Sequence, residues 1–197
     1  MRSAEAASRR VLAAAFSLAI CLGSQSVSWC QAQTLPSFEL TNWDGRQVTN
    51  AWLEGKTTIV VFTYAKCVYA CPMITFLLRD LDQELGSPRD LRYLHISVNP
   101  TEDSAAEILD HFEKHEIDPE QDTRWLFLNG PEEGVLGVLT DAGIEVTRKP
   151  VPGGLLIEHT IRVLVVGPDG STIASFDTYN WEEEEMLHAL RTTLELG

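Results

Sequence analysis

Apolar residues along this chain alternate between two spacings, and each spacing names an element. Thr57 to Tyr64 (TTIVVFTY) is β-branched and nearly unbroken by polar residues, which predicts a central strand buried on both faces. Phe38 to Thr49 reads as a hairpin that turns at Asp44-Gly45. Beyond the central strand, Ile74, Phe76, Leu77, Leu78, Leu81 and Leu85 recur at helical spacing, with Pro72 suited to the first turn. Leu91 to Val98 is the next strand. Ser104 and Glu107 form a capping-box pattern ahead of a helix carrying Ile108, Leu109 and Phe112. Trp125 to Leu128 is a third strand. Pro131 opens a short helix with Val135, Leu136, Val138 and Leu139, and Gly143 closes it.

Residues 144–158 carry Pro150, Pro152, Gly153 and Gly154 and read as irregular. Thr160 to Val166 and Thr172 to Phe176 predict a hairpin about Gly167-Pro168-Asp169-Gly170. Asn180 is the expected cap of a last helix that turns Trp181, Leu187, Leu190 and Leu194 inward. The Glu182 to Glu185 run then lies on its first turn, where negative charge suits the helix dipole. A leading hairpin, alternating strands and helices, then a closing hairpin and helix predict an α/β, thioredoxin-like fold. Its mixed central sheet would be flanked by helices and fronted by the N-terminal hairpin.

The first 32 residues follow a different pattern. Arg2, Arg9 and Arg10 precede an apolar run from Val11 to Leu22, and small and polar residues lead to Ala32. This is the layout of a secretory signal peptide over residues 1–32, with the folded domain in 33–197. An uncleaved anchor through residues 11–29, holding the protein at the membrane, is the alternative. Either way the expectation is export, with the domain in the periplasm or anchored facing it.

The 197 residues carry a net charge of −14. Residues 1–32 hold three Arg and one Glu, a net +2, so the remainder carries −16. Such a surface is repelled by nucleic acid and by anionic lipid, which removes nucleic acid from the expected partners.

Of four cysteines, only Cys67 and Cys71 lie beyond residue 32. They are too close in sequence to staple a domain of this size, so the pair suggests metal binding or redox chemistry. They bracket the turn from the central strand into its helix, at the carboxyl end of a parallel strand where functional groups collect. Cys71 falls at the helix N-terminus, where backbone N–H groups and the dipole favour thiolate, and Lys66 adds a positive charge nearby. Three intervening residues can still form a disulfide, but they also open the bite for two thiolates on one soft metal, Cu(I). A neutral imidazole would complete a three-coordinate site that also tolerates Cu(II). His159 is the best source of that imidazole. It is expected to begin the strand after the Pro/Gly-rich stretch, and Glu158 could orient its ring.

Other candidates are weaker. His111 and His115 have zinc-like spacing without a clear third ligand, which favours an exposed helical face. His95 reads as structural, His188 as solvated, and Met73 as core.

From Phe38 to Asp177 the chain resembles the Sco/SenC proteins, copper chaperones of cytochrome c oxidase assembly. The likeness rests on the Asp44-Gly45 hairpin, an aromatic strand leading into Cys67-x-x-x-Cys71-Pro72, and residues 95–109 (HISVNPTEDSAAEIL). It continues with Trp125, Glu158-His159-Thr160 and Gly167-Pro168-Asp169-Gly170. The resemblance implies a thioredoxin fold with a hairpin inserted before the histidine. It also implies copper held by Cys67, Cys71 and His159, and a copper-receiving oxidase subunit as partner. Departures are visible. The usual Phe-Gly-Phe-Thr-His is here Phe62-Thr63-Tyr64-Ala65-Lys66, and Cys-Pro-Asp is Cys67-Val68-Tyr69.

Two functions follow. In one, the protein is a metallochaperone that delivers copper or maintains the receiving thiols, and is not an enzyme in the strict sense. In the other it is a periplasmic thiol–disulfide oxidoreductase, with Cys67 attacking and Cys71 resolving as the redox-active centre.

Overall fold

The computed structural model describes residues 35–152, 154–178 and 181–194, all within the unit Ala32–Gly197. The signal or anchor expected in residues 1–32 lies outside the described residues.

The elements run β1 (Glu39–Asn42), β2 (Gln47–Thr49), a short 3-10 turn (Asn50–Leu53), β3 (Thr57–Thr63), α1 (Ala70–Glu84), β4 (Leu91–Ser97), α2 (Ala105–Lys114), β5 (Trp125–Asn129), α3 (Glu132–Asp141), β6 (Val146–Val151), β7 (Gly154–His159), β8 (Val163–Val166), β9 (Thr172–Phe176) and α4 (Glu183–Arg191). The main sheet has the order β2-β1-β5-β4-β3-β8-β9. Strands β3, β4 and β5 are parallel, while β8 pairs antiparallel with β3 and β1 antiparallel with β5. This is the expected thioredoxin-like layout, with the N-terminal hairpin β1–β2 on one edge.

Every residue of β3 is buried, as its unbroken apolar run requires. Alternation along the strands divides the core between the two sheet faces. Val60, Phe62, Leu94 and Ile96 pack with α3 on one face. Ile59, Val61, Tyr93 and Phe127 pack under α1, α2 and α4 on the other. Gly45 turns the first hairpin at φ +87°, a backbone region that glycine enters without a Cβ clash. The capping box forms: Ser104 accepts from the Glu107 N–H while Glu107 accepts from the Ser104 N–H. Losing such a cap costs about 1 kcal/mol.

Helix α1 is held at its far end. Asp82 on its last turns accepts from Arg124 at 2.6 Å and from the Tyr93 hydroxyl at 3.0 Å, and Tyr93 stacks on Trp125 at 3.8 Å. Fixing this end fixes where the helix N-terminus, with Cys71, meets the sheet.

Three expectations need correction. Residues 144–158 are not irregular: β6 and β7 form an antiparallel hairpin, a two-stranded sheet of its own, as the family resemblance implied. His159 is therefore the last residue of β7 and does not begin the next strand, because β8 starts at Val163. Helix α4 takes Glu182 as its N-cap, and Asn180 lies outside the described residues. Met186, Ala189 and Leu190 are its buried residues, whereas Leu187 and Trp181 are only partly covered.

Candidate metal centre

Strand β3 ends at Thr63, and the Cys67 N–H donates to the Tyr64 carbonyl at 3.2 Å, folding the chain into a tight turn. That turn puts Cys67 in front of the first turn of α1, which contains Cys71 and Pro72. Cys67 is partly buried and Cys71 is 2% exposed. His159 arrives from β7, and its Nε2 lies 3.9 Å from Cys71 Sγ. The structure thus gathers all three residues expected to bind metal.

The imidazole is oriented for ligation. His159 Nδ1 is 2.9 Å from the Thr160 carbonyl, which can only accept, so Nδ1 carries the ring proton. The lone pair of neutral His159 is therefore on Nε2, the atom facing Cys71. Among the described residues, no three His, Cys, Asp or Glu side chains are already closed around a metal position. Loading the trio therefore requires its side chains to draw together.

The thiolate belongs on Cys67, contrary to the expectation for Cys71. A hydrogen bond from the Cys71 thiol lowers the Cys67 pKa to about 5, helped by the N–H groups of Tyr69 and Cys71 and by the Tyr64 hydroxyl, against the opposing effect of burial. The Cys71 thiol is pushed up, chiefly because it donates to Cys67, and further by burial and by the Cys67 charge. The helix N-terminus still acts, but through N–H groups aimed at the upstream sulfur. Lys66 does not serve as the expected activator. Its ammonium pairs with Glu107 at 2.9 Å, and that bond raises its pKa.

Glu158 does not orient His159. It is exposed and pairs with Lys149 across the hairpin, pointing away from its neighbour as strand alternation dictates. Met73 is 50% exposed and so is not core. With Val68 and Tyr69 between the cysteines, and Phe76 one turn on, it forms an apolar rim beside the dithiol.

The remaining histidines divide sharply. His188 is exposed, as expected. His95 is fully buried, both ring nitrogens lack a partner, and it stacks on Phe127 at 5.6 Å. It is structural, as expected. His111 corrects the sequence reading: it is 2% exposed, and its Nε2 lies 3.0 Å from Thr75 Oγ1. His115 Nδ1 donates to the His111 carbonyl at 2.6 Å. The helix face they share is thus turned partly inward.

Three residues around the dithiol carried no signal strong enough to single them out. Tyr64 is nearly buried, lies against His159 with ring centroids 6.3 Å apart at a steep angle, and its hydroxyl helps lower the Cys67 pKa. Thr63, the last residue of β3, has a buried hydroxyl and works against the rise of the Cys71 pKa. Asp103 accepts from the Ala65 N–H at 3.0 Å and from Ser97, pinning the turn before Cys67. Burial raises its carboxyl pKa to about 6. The departures at Thr63 and Tyr64 from the usual Gly and Phe were the only available hint.

Residues 29–195 match the SCO1/SenC family model. The SCO1 protein homolog of Bacillus subtilis is 24% identical over 141 residues, spanning 71% of this chain and 72% of that protein. Among solved structures, copper-bound ScoI of Bradyrhizobium japonicum is similar at a TM-score of 0.70 and 24% identity, covering 82% of this chain and 99% of its own. BsSco, a Sco-family cytochrome c oxidase assembly protein with an identified disulfide switch, is similar at a TM-score of 0.65 and 21% identity, covering 81% of this chain and 92% of its own. At these identities the structural likeness speaks for the fold. The family match spans well over half of the sequence, from before β1 to beyond α4, and on that ground the chain belongs to the SCO1/SenC family.

Proposed function

We propose that this protein is an exported copper chaperone. It holds Cu(I) through the Cys67 and Cys71 thiolates and His159 Nε2, and hands it to a copper site of cytochrome c oxidase. The observation that carries this reading is the placement of His159, Nδ1 at 2.9 Å from the Thr160 carbonyl and Nε2 toward Cys71. With Nδ1–H engaged by Thr160, the free lone pair sits 3.9 Å from a thiol sulfur. Two soft sulfurs and one imidazole suit Cu(I) and tolerate Cu(II). Copper here is cargo. Transfer by stepwise ligand exchange keeps it coordinated throughout, as acceptor thiolates replace Cys67, Cys71 and His159 in turn. The apolar rim of Val68, Tyr69, Met73 and Phe76 supports a protein acceptor at this face. Residues 1–32 act as the export signal, or residues 11–29 as an anchor, so that the domain faces the periplasm.

The test is an anaerobic Cu(I) titration of the reduced protein against a competing chelator, beside His159→Ala. One tight equivalent, weakened about tenfold or more in the variant, is the expected result. Unchanged affinity would remove His159 from the site.

A second reading is favoured by a specific feature, the ionised and partly accessible Cys67. As a thiol–disulfide oxidoreductase, the protein would attack with Cys67 and resolve with Cys71, without need of His159. Failure to trap a mixed disulfide in Cys71→Ser would count against it.

A further inference from the structure

Hairpin β6–β7 brings His159 to the dithiol, and its register shows how it is held there. Val146 pairs with His159, and Arg148 with Ile157. Residues two apart on a strand share a face, so these four lie together on the face turned toward the body of the domain. Val146 and Ile157 pack against its core. Thr147, Lys149 and Glu158 lie on the other face, where Lys149 and Glu158 pair in solvent. The next pair on the inner face, Pro150 and Leu155, is exposed, which leaves Arg148 as the outermost tie.

The sequence holds 29 acidic residues against 15 Lys and Arg. An arginine free to turn outward from such a surface would find a carboxylate. Arg148 is half-buried instead, and its guanidinium donates to the Val98 carbonyl at 3.3 Å. Val98 in turn donates its N–H to the carbonyl of Thr63, the last residue of β3, at 2.7 Å. The guanidinium thus fastens the hairpin that carries the imidazole to the strand ends that carry the sulfurs. On the other side of His159 the hairpin base is closed by two bonds. The Thr160 N–H donates to the Glu145 carbonyl at 2.9 Å, and the Glu145 N–H to Thr160 Oγ1 at 3.1 Å. His159 lies between these two ties.

We propose that Arg148 is a positioning residue, a clasp that holds the hairpin down and so keeps the His159 ring toward Cys71. Arginine suits the task, because its stem packs along apolar surface while its head reaches a carbonyl. With the base closed and the clasp made, the swing and roll of the hairpin are limited. Nε2 then stays on the sulfur side before metal arrives, which cuts the cost of ordering the third ligand when copper binds. The positioning role rests on the ligand set proposed above; the clasp itself does not.

The clasp is tested on the reduced, metal-free protein. Arg148→Met keeps the apolar stem and removes the donor. By nitrogen-15 relaxation, order parameters of the β6–β7 amides are expected to fall from about 0.85 toward about 0.6, with β3 and β4 unchanged. Lys149→Met, one residue along but on the outward face, should leave them as they are. Wild-type order parameters in Arg148→Met, or an equal fall in Lys149→Met, would overturn the clasp.

The positioning role is tested by anaerobic Cu(I) titration. Arg148→Met should weaken affinity about fivefold, less than His159→Ala does, and Arg148→Lys, which still offers a donor, should recover most of the loss. In the His159→Ala background, Arg148→Met should cost nothing further. A residue that only supports the fold would weaken both backgrounds alike, so an equal loss in both, or no loss in either, would overturn the positioning role. Should His159→Ala itself leave Cu(I) affinity unchanged, the ligand set and the positioning role fall together, while the relaxation result still decides the clasp.

Discussion

Two clusters that contain histidine lie on opposite faces of the sheet and share the same raw material. At one, Cys67, Cys71, His159 and Tyr64 meet where β3 feeds α1. At the other, His95 and His111 lie among Phe112, Trp125 and Phe127 beneath α1 and α2. Both contain imidazoles within reach of helix α1, and His111 is joined to it through Thr75, whose hydroxyl donates to the Cys71 carbonyl at 3.1 Å. What separates them is where the lone pairs point. His159 is partly exposed, with one nitrogen satisfied and the other facing a sulfur. His95 has two unpartnered nitrogens sealed among aromatic rings. Residue type alone does not make a ligand; an available lone pair at a reachable edge does.

The comparison breaks most readily at Phe112. If the histidine cluster is core, Phe112→Ala opens a cavity costing about 3–5 kcal/mol in a urea titration while leaving copper stoichiometry intact. A loss under about 1 kcal/mol would mean that this cluster is not a packed core.

Acid is the next lever. Burial holds His95 neutral with its pKa well below the usual range, and burial with the nearby His115 lowers His111 from 6.5 to about 4. Through that window the unfolded chain binds protons that the folded one does not. The histidine contribution to stability is therefore complete above pH 6.5 and is lost as pH falls toward 4. His111 accounts for about 3 kcal/mol of that decline. Asp103, raised to about 6, works in the opposite direction between 3.8 and 6, but it is one group against two. Urea midpoints measured across this range should fall, and fall less in His111→Gln. A flat profile would show these rings to be protonated, hence open to water.

The smallest expected effect sharpens the site side. Lys66 is exposed and neutralised by Glu107, so Lys66→Ala should leave the pH dependence of Cys67 alkylation and the urea midpoint unchanged. A marked rise in the pH needed for labelling would restore Lys66 as the thiolate's partner.

These contrasts also mark what the sequence could reveal. Strand β3, the Asp44-Gly45 turn and the Ser104–Glu107 box are written in residues near one another, so local pattern suffices for them. The gathering of Cys67, Cys71 and His159 was legible because the cysteines fall at a strand-to-helix turn and His159 follows the Pro/Gly-rich stretch, although it ends β7 and does not begin the next strand. Hairpin β6–β7 was not. Its first strand, VTRKPV, is mostly exposed and lacks an alternating apolar face, and its prolines and glycines look like loop chemistry. His111 was misread because its neighbours Asp110, Glu113 and Lys114 are polar, and only the approach of Thr75 from α1 shows it buried. The site of the thiolate was misread for a similar reason. Lys66 is adjacent in sequence, but Glu107 of α2 captures its charge, and the Cys71 thiol keeps its proton and donates a hydrogen bond to Cys67.

The β6–β7 hairpin has one more consequence. It carries His159, yet among the described residues it forms no ladder with the main sheet, and it is tied to the body by side chains: buried Ile157, the packing of Val146, an Arg148 bond to the Val98 carbonyl at 3.3 Å, and His159 against Cys71 and Tyr64. Two strands alone are marginal in water. Its amides should therefore exchange with deuterium through local opening, well before those of β3 and β4. The imidazole is mounted on the part of the domain that opens first, and the two sulfurs on a part that opens later.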